Sequence, residues 1–279
     1  GSGTRLYPVT EVVSKQLMPV YDKPMIYYPL STLLLAGLKE ILIISTPRDI
    51  PLFRKLLGTG KQWGIQLSYV VQPRPEGLAQ SLIIAEDFLA GSTSCLILGD
   101  NIFHGHGFSD LLRKASTLQE GALVFGYRVK NPKAYGVVEF DKNGRVIGLE
   151  EKPEFPKSKY AVPGIYFFDH RAPKLAQCLK PSPRGEIEIT DLNRMYLDEG
   201  TLKVDILDRG YAWLDTGTHE NLLQASRFVR TIIERQGLQI GCLEEIAFEL
   251  GFIDEKTLRI SCEKYKKTDY GHYMEQLIS

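Results

Sequence analysis

The sequence contains few cysteines, and none of them lie close together. Cys95, Cys178, Cys242 and Cys262 form no Cys-x-x-Cys pair and sit among apolar neighbours. Structural zinc sites and disulfide frameworks depend on recurrent, closely spaced cysteines, so neither is predicted here. We interpret the four residues as buried thiols of a protein in a reducing compartment such as the cytoplasm.

Net charge and long apolar runs are also lacking. Thirty-four basic side chains balance thirty-four acidic ones, so nothing at this level predicts a nucleic acid or an anionic membrane as a partner. No run of 18 apolar residues predicts a membrane-spanning helix. What is present is ordinary for a globular protein: 43% hydrophobic and 24% charged residues in a chain of 279, enough for one or two domains.

The first 120 residues alternate between short apolar runs and amphipathic segments. Strands are predicted at 41–46, 65–72 and 95–98, and helices after Pro24 up to Gly37, at 77–90 and at 108–117. Pro24 is placed in the first turn of its helix, and Pro29 predicts a kink or a late start. This alternation predicts a doubly wound α/β sheet whose ligands bind at the carboxyl ends of the strands.

Beyond Gly121 the pattern becomes rich in strands. The runs 135–141 and 145–152 flank Asn143-Gly144, a strong hairpin signal. Further strands are predicted at 122–129, 162–168, 202–207 and 211–214, with a helix at 189–199. A long helix follows at 218–235, its buried face predicted to carry Leu222, Leu223, Ala225, Phe228, Val229, Ile232 and Ile233. Two or three short helices complete the tail.

The opening residues have the composition of a phosphate-binding loop. Gly1-Ser2-Gly3 lets backbone amides approach an anion closely, and Arg5 and Lys15 follow nearby. The alternative is a flexible terminus with ordinary surface charge, because short glycine-rich patterns are weak signals. A Walker loop is excluded, since no Lys-Ser or Lys-Thr occurs at the required spacing.

Two aspartates follow predicted strands. Asp100 comes directly after Cys-Leu-Ile-Leu-Gly, and Asp215 after Tyr-Ala-Trp-Leu. Carboxylates at strand ends beside a phosphate loop are suitable ligands for Mg²⁺, which typically takes one or two carboxylates and fills its other positions with phosphate and water. Taken alone, an aspartate in such a position is more often a helix N-cap or a turn residue.

Two further stretches carry groups that could recognise a ligand. Gln72 follows a predicted strand, and its carboxamide has the donors and acceptor needed to pair with a base edge. The alternative is a surface turn shaped by Pro73 and Pro75. Glu151-Lys152-Pro153 also ends a strand, and without further information its charges would simply be solvated.

Taken together, these motifs resemble the signature of the sugar-1-phosphate nucleotidyltransferases. The matching strings are Gly-x-Gly-Thr-Arg-Leu-x-Pro at 1–8, Ser-Lys-Gln-Leu at 14–17, Asp-Lys-Pro at 22–24, Gln-Pro-x-Pro-x-Gly at 72–77, Leu-Gly-Asp-Asn at 98–101, Glu-Lys-Pro at 151–153 and Trp-x-Asp-Thr-Gly-Thr at 213–218. The resemblance spans essentially the whole chain. It implies a doubly wound, Rossmann-like mixed sheet with an inserted β-rich sugar-binding portion and a C-terminal helical tail.

The resemblance also implies domain limits and residue roles. Residues 1–241 would form the catalytic domain, with a nucleotide half to about 120 and a sugar half to 241, and 242–279 the helical segment. Arg5, Lys15 and Lys152 would be catalytic, and Asp100 and Asp215 would hold Mg²⁺. The nucleotide would contact Gly1, Ser2, Gly3, Thr4, Arg5, Lys15, Gln16, Gln72, Gly77 and Asp100. The sugar phosphate would contact Leu98, Tyr135, Gly136, Glu151, Lys152, Val162, Arg184 and Trp213.

The match is nearest to family members that use dTTP and α-D-glucose 1-phosphate, so the implied products are dTDP-glucose and diphosphate. It further implies a cytoplasmic homotetramer that supplies deoxysugars such as rhamnose and is inhibited by dTDP-rhamnose. Two alternatives stay open: another nucleotide or sugar phosphate as substrate, or a homologue that binds sugar nucleotides without turnover.

The sequence departs from the family pattern at two places. Pro163 stands where relatives usually have Thr, which removes a backbone donor near the sugar side. Family members also have a short apolar strand and another glycine before the loop. We therefore expect the strand that anchors the loop to be missing from this sequence. The chain that begins at Gly1 should be insoluble or inactive, and restoring about ten apolar-rich residues before it should recover activity.

Overall fold

The computed structural model describes residues 3–279; Gly1 and Ser2, both predicted to bind the nucleotide, lie outside the described residues. The strands are β1 Pro19–Val20, β2 Lys23–Pro24, β3 Glu40–Ser45, β4 Gln66–Val71, β5 Ser94–Ile97, β6 Asn101–Gly105, β7 Ala122–Arg128, β8 Gly136–Phe140, β9 Val146–Glu151, β10 Tyr160–Ala161, β11 Ile165–Phe168, β12 Leu202–Leu207 and β13 Tyr211–Asp215. The helices are α1 Tyr27–Leu35, α2 Ile50–Leu57, α3 Gln80–Ile84, α4 Glu86–Leu89, α5 Phe108–Ser116, α6 Ala172–Gln177, α7 Ile189–Asp198, α8 His219–Gln236, α9 Leu243–Glu249, α10 Glu255–Tyr265 and α11 Asp269–Gln276.

These elements belong to two compact units, each built from separate stretches of chain. Unit 1 contains Gln72–Leu98 and Gly105–Trp213, and unit 2 contains Gly3–Val71, Gly99–His104 and Leu214–Ser279. The strands β6 and β13, which pair with each other, each cross from one unit to the other. The predicted limits at residues 120 and 241 stay a prediction.

Unit 1 is organised around a mixed sheet. Its strands lie in the order β5-β11-β7-β10-β8-β9, and β12 also pairs with β7. The β12 and β7 strands are parallel, whereas the β8 and β9 strands form the hairpin predicted from Asn143-Gly144. The core packs the sheet against α3, α6 and α7 through fully buried side chains such as Val138, Phe168 and Leu192.

Unit 2 combines strand pairs with helices from both ends of the chain. The strands β3 and β4 run parallel, as expected for apolar runs separated by a helix. Val20, Met25 and Ile102 pack against Ala225 and Val229 of α8. The tail helices α9, α10 and α11 confirm the predicted helical segment, and Leu243 and Leu258 in them are fully buried. The predicted fold class, α/β with a helical tail, is therefore confirmed.

The first predicted helix is confirmed at its end and wrong at its start. Gly37 has φ +81°, and the N–H of Leu38 donates to the Leu33 carbonyl at 3.1 Å, which closes α1 with the glycine cap that the sequence predicts. Pro24 instead lies in β2. Pro29 is the third residue of α1, a position whose N–H makes no hydrogen bond within the helix, so the proline costs none. Of the two predicted alternatives, a kink or a late helix start, the late start is correct.

Other local predictions need correction. The helix predicted at 77–90 is divided into α3 and α4, and the structure adds the strand β6 directly after Asp100. Leu223 is 46% exposed, so it does not belong to the buried face of α8. Cys178 is exposed rather than buried, because it lies just beyond the end of the short helix α6. Within residues 3–279, no helix is long and apolar enough to cross a membrane.

Candidate active site

The predicted phosphate loop is a series of tight turns anchored from beneath. Gly3 adopts a left-handed conformation with φ +67°, which favours glycine, and its carbonyl accepts from the Thr10 hydroxyl at 2.8 Å. Leu6 and Thr10 are buried, whereas Thr4 and Arg5 are exposed. The buried side chains of Leu6 and Thr10 therefore anchor the loop, and the guanidinium of Arg5 is accessible to an anion.

Lys15 and Gln16 lie on a second turn, Lys15–Leu17. The Lys15 ammonium forms a short ion pair with Asp100 Oδ2, and its side chain is 10% exposed. Gln16 Oε1 accepts from the Ser14 hydroxyl at 2.9 Å. A Cβ at Gly99 would lie 3.0 Å from Gln16 Cγ, so the glycine of the Leu-Gly-Asp-Asn motif leaves room for Gln16.

Asp215 ends β13, and its half-buried carboxylate lies in the field of a second carboxylate, that of Asp100. Burial is the main cause that raises its pKa, and the negative charge of Asp100 raises it further. Lys15, the Gly217 N–H and Arg5 act in the opposite direction. We call Arg5, Lys15, Asp100 and Asp215 the carboxylate cluster. Two carboxylates that repel each other in a partly buried place, beside two cations, form a site in which added positive charge is stabilising.

The residues just after Asp215 were missed by the predicted site. Thr216 is fully buried, and its hydroxyl donates to the Asp100 carbonyl at 2.8 Å, which joins the two aspartate segments. A Cβ at Gly217 would lie 3.0 Å from Asp215 Oδ1 and 3.5 Å from Arg5 Nη1. Both residues belong to the Trp-x-Asp-Thr-Gly-Thr motif, so the motif was the signal that could have found them.

We expect Thr216→Val to lower the free energy of unfolding by about 1 kcal/mol and to reduce turnover, because the Asp100 carbonyl loses a buried hydroxyl donor. Thr216→Ser keeps the hydroxyl and should stay close to the wild type in turnover. Denaturant unfolding and initial rates on both variants check this. Equal turnover in the Val and Ser variants would contradict a role for the hydroxyl.

In unit 1, charged groups converge on Glu151 at the end of β9. Its Oε1 lies 3.6 Å from Lys152 Nζ and 3.4 Å from Arg184 Nη2, and its Oε2 accepts from the Thr190 hydroxyl at 2.6 Å. Arg184 Nη2 also lies 2.8 Å from Glu188 Oε1. These five residues form what we call the Glu151 cluster. The sequence predicted Glu151, Lys152 and Arg184 as site residues but not Glu188 and Thr190, which lie at the start of α7.

Lys152 has an unusual backbone. It has φ +46°, and its N–H donates to the Tyr135 carbonyl at 3.0 Å. A left-handed conformation is costly for a residue with a Cβ and persists where the surroundings impose it, often at functional sites.

Most of the other predicted sugar residues lie in or beside strands of the sheet that contains β9, whereas Trp213 lies in β13, which pairs with β6. The Tyr135 ring packs against Trp213 with centroids 4.9 Å apart. The Val162 N–H donates to the Gly136 carbonyl at 2.8 Å, and the Leu98 N–H donates to the Gly164 carbonyl at 2.8 Å. A Cβ at Gly136 would lie 3.0 Å from Thr190 Oγ1 and 3.2 Å from Glu151 Oε2, so only glycine leaves these two side chains undisturbed.

Gln72 and Gly77 lie on the segment between β4 and α3. The Gln72 amide nitrogen donates to Gln80 Oε1 at 2.5 Å, and Gln80 in turn donates to Glu76 at 2.7 Å. Gly77 has φ +111°, and a Cβ there would lie 2.3 Å from the backbone nitrogen of Ile187, so glycine is required. Gln80, which the sequence prediction missed, orients the Gln72 carboxamide.

The residues in the carboxylate cluster fit a hard divalent cation. Asp100 and Asp215 offer carboxylate oxygens, the ligands that Mg²⁺ prefers, and their mutual repulsion is relieved by a cation. Over residues 3–279, no group of three or more His, Cys, Asp or Glu side chains has metal-binding geometry. The pair of carboxylates suits an ion that takes its other ligands from phosphate and water.

The fold and these clusters define a nucleotidyl transferase. Residues 1–232 match the family model described as Nucleotidyl transferase, and the chain belongs to that family. Within the family it is similar along its full length to proteins named glucose-1-phosphate thymidylyltransferase. It is 60% identical to the one from Xanthomonas campestris pv. campestris (strain B100) over 99% of this chain and 94% of that protein. It is 56% identical to the one from Neisseria gonorrhoeae over 100% of this chain and 96% of that protein.

Solved structures agree with this assignment. A crystal structure from Bacillus anthracis, assigned as a glucose-1-phosphate thymidylyltransferase and determined with sucrose, matches with a TM-score of 0.76 and 38% identity, covering 82% of this chain and 92% of that one. A UDP-glucose pyrophosphorylase complexed with UDP-glucose matches with a TM-score of 0.71 at 23% identity, over 83% of this chain and 95% of that one. The second likeness supports the fold alone.

Proposed function

We propose that this chain transfers a thymidylyl group from dTTP to α-D-glucose 1-phosphate, giving dTDP-glucose and diphosphate. The observation that carries the proposal is the full-length identity of 60% to a glucose-1-phosphate thymidylyltransferase in a chain that keeps the carboxylate cluster. A non-catalytic homologue has no chemical need for two repelling carboxylates held beside two cations.

The reaction needs charge neutralisation more than proton transfer. The attacking group is a phosphate oxygen of the sugar phosphate, which is already an anion, so no general base has to create the nucleophile. The obstacle is repulsion between two polyanions. Residues that hold them in line at the α-phosphorus and balance their charge therefore supply the catalysis, and positioning of this kind contributes about 7–11 kcal/mol in well-oriented cases.

Arg5 and Lys15 are assigned to the triphosphate. Arg5 is exposed on the loop after Gly3, and its planar guanidinium can bind two phosphate oxygens at once. Lys15 is held by Asp100 and serves as a point charge beside the developing negative charge. Asp100 and Asp215 would hold Mg²⁺, which, when bound, neutralises phosphate charge as a Lewis acid.

The Glu151 cluster is assigned to the sugar phosphate. Glu151 can accept from sugar hydroxyls, since the Thr190 hydroxyl already fixes one of its oxygens at 2.6 Å. Lys152 and Arg184 supply cations for the phosphate, and Glu188 holds the Arg184 guanidinium in place. The rings of Tyr135 and Trp213, which pack against each other at an interplanar angle of 59°, offer an apolar wall.

The proposed function is tested by a diphosphate-release assay across nucleotide and sugar-phosphate pairs, using protein with its natural N-terminus. We expect dTTP with glucose 1-phosphate to give the highest kcat/KM in the panel. A higher value with UTP, ATP or another sugar phosphate would replace this assignment with the related activity. Binding of dTDP-glucose without any turnover would favour the sensing homologue.

Recognition of the base is assigned to Gln72. We expect Gln72→Ala to raise the KM for dTTP about tenfold, because hydrogen bonds worth about 1–2 kcal/mol are lost. The KM for glucose 1-phosphate should change little. Gln119→Ala, at an exposed glutamine that donates to the Thr117 carbonyl, is the matched control. An effect on the sugar KM alone would show that the base lies elsewhere.

The resemblance also supports an assembly and a regulator. We propose a cytoplasmic homotetramer inhibited by dTDP-rhamnose, with residues 242–279 contributing to a subunit contact and a regulatory pocket. Light scattering on the whole chain gives the assembly, and initial rates with added dTDP-rhamnose give the inhibition. A monomer that dTDP-rhamnose does not inhibit would contradict both parts.

A further inference from the structure

Lys23, in the Asp-Lys-Pro segment, has no role in the function proposed above, yet its ammonium is buried. The side chain is 4% exposed, and Nζ lies 2.8 Å from both carboxylate oxygens of Asp22. Nζ also lies 2.8 Å from Gln239 Oε1. Burying a charge is costly unless it is paired and hydrogen-bonded, so the buried ammonium depends on Asp22 and Gln239 as its partners.

Several partners of this ammonium come from the C-terminal part of unit 2. Gln239 follows α8, and the Tyr270 ring of α11 has its centroid 5.3 Å from Nζ. The Tyr270 hydroxyl in turn donates to Glu244 of α9, which is 2% exposed. Lys23 therefore contacts the segment after α8 and the tail helix α11 directly, and the tail helix α9 through Tyr270.

On its other side, Lys23 belongs to the hairpin that holds the Lys15 turn. Lys23 pairs with Val20 across β1 and β2. Directly beyond β2, the Met25 N–H donates to the Met18 carbonyl at 2.9 Å, and the Ile26 N–H donates to the Gln16 carbonyl at 2.9 Å. A shift of the hairpin would therefore move the turn that carries Lys15.

We infer that Lys23 is a positioning residue for Lys15. Its ammonium fixes the β1–β2 hairpin to the C-terminal helices, and the hairpin fixes the turn Lys15–Leu17. The tail thus sets the place of a phosphate-binding cation that is distant from it in sequence. The kinetic part of this inference rests on the proposed function, in which Lys15 binds the triphosphate, whereas its structural part does not.

The structural part is tested by hydrogen exchange in the whole, ligand-free protein. Lys23→Met removes the charge and keeps most of the stem. We expect amide exchange in residues 14–20 to rise about tenfold or more, as a locally loosened segment would show. Lys39→Met is the matched control: Lys39 also contacts the tail, with Nζ 4.2 Å from the Phe252 ring centroid, but it precedes β3 and should leave exchange in 14–20 unchanged.

The kinetic part is tested by a double-mutant cycle. Lys23→Met should lower kcat/KM for dTTP about tenfold to a hundredfold, the size expected when a catalytic group is misplaced. In the Lys15→Met variant, adding Lys23→Met should lower kcat/KM for dTTP by less than about twofold, because Lys23 acts through Lys15. If Lys23 had a merely structural role, Lys23→Met would lower kcat/KM by the same factor in both backgrounds.

Exchange at 14–20 equal to the wild type, or full additivity in the cycle, would overturn the inference. If Lys23→Met does not fold, Gln239→Leu removes one partner of the ammonium and is judged by the same two measurements. Should the wild type show no turnover with any substrate pair, the proposed function fails, and the exchange result still decides whether Lys23 holds the Lys15 turn.

Discussion

Asp215→Asn is expected to lower turnover at least about a hundredfold while the protein stays folded. The change withdraws one of the two carboxylates assigned to Mg²⁺, whose charge stabilisation is worth several kcal/mol, and each 1.36 kcal/mol is about a factor of ten in rate. Initial rates at saturating Mg²⁺ measure the effect. Asp110→Asn, at an 80% exposed aspartate of α5, is the control and should keep its rate.

The same variant should melt at an unchanged or higher temperature at neutral pH. Burial and Asp100 raise the pKa of Asp215, so the folded state holds its proton more tightly than the unfolded state. Stability therefore falls as pH rises from the unfolded value of about 3.9 through the folded pKa, and the full penalty is present at neutral pH. The asparagine removes this penalty, so the gain in Tm should vanish below about pH 4.

Asp100→Asn should lose turnover to a similar degree but should also destabilise the protein. The Lys15 ammonium is 10% exposed and would lose its carboxylate partner, and breaking one side of a buried pair is strongly unfavourable. The two variants should therefore differ in stability: the Asp215 carboxylate destabilises the folded protein, whereas the Asp100 carboxylate stabilises it through Lys15. Normal Mg²⁺-dependent rates in either variant would contradict the metal assignment.

Lys152→Gly is expected to lower kcat/KM for glucose 1-phosphate about a hundredfold while the Tm stays unchanged or rises. The loss follows from removing a cation preorganised for the phosphate, an effect of about 2.7–4 kcal/mol for comparable donors. The Tm should not fall, because φ +46° is costly for a residue with a Cβ and is readily adopted by glycine.

Two further variants separate the charge from the backbone. Lys152→Met keeps the strained conformation without the ammonium, so it should lose as much activity as Lys152→Gly and melt at or below the wild-type temperature. Lys157→Met removes a 68% exposed lysine paired with Glu139 and is the control for loss of a surface charge. Full activity in Lys152→Met would show that the ammonium does not bind the sugar phosphate.

Local features of the chain were predicted well wherever neighbours along the sequence decide them. The Asn143-Gly144 hairpin, the glycine cap at Gly37 and the strand β3 depend on turn conformations and on short apolar runs. Predictions were wrong where packing overrides the pattern. Leu223 has helical spacing but lies 46% exposed, and Pro24 sits in a short strand because the chain turns there before α1 begins.

The sequence by itself determined the family and the fold class, because short motifs with fixed spacing carry that information. Only the tertiary structure decided that Lys15, Asp100 and Asp215 share one cluster, that Thr216 joins the two aspartate segments and that Lys23 is held by Gln239 and Tyr270. These contacts join residues about 85 to more than 200 positions apart. No periodicity or propensity encodes them, since the packing of the whole core sets which distant groups meet and how deeply each charge is buried.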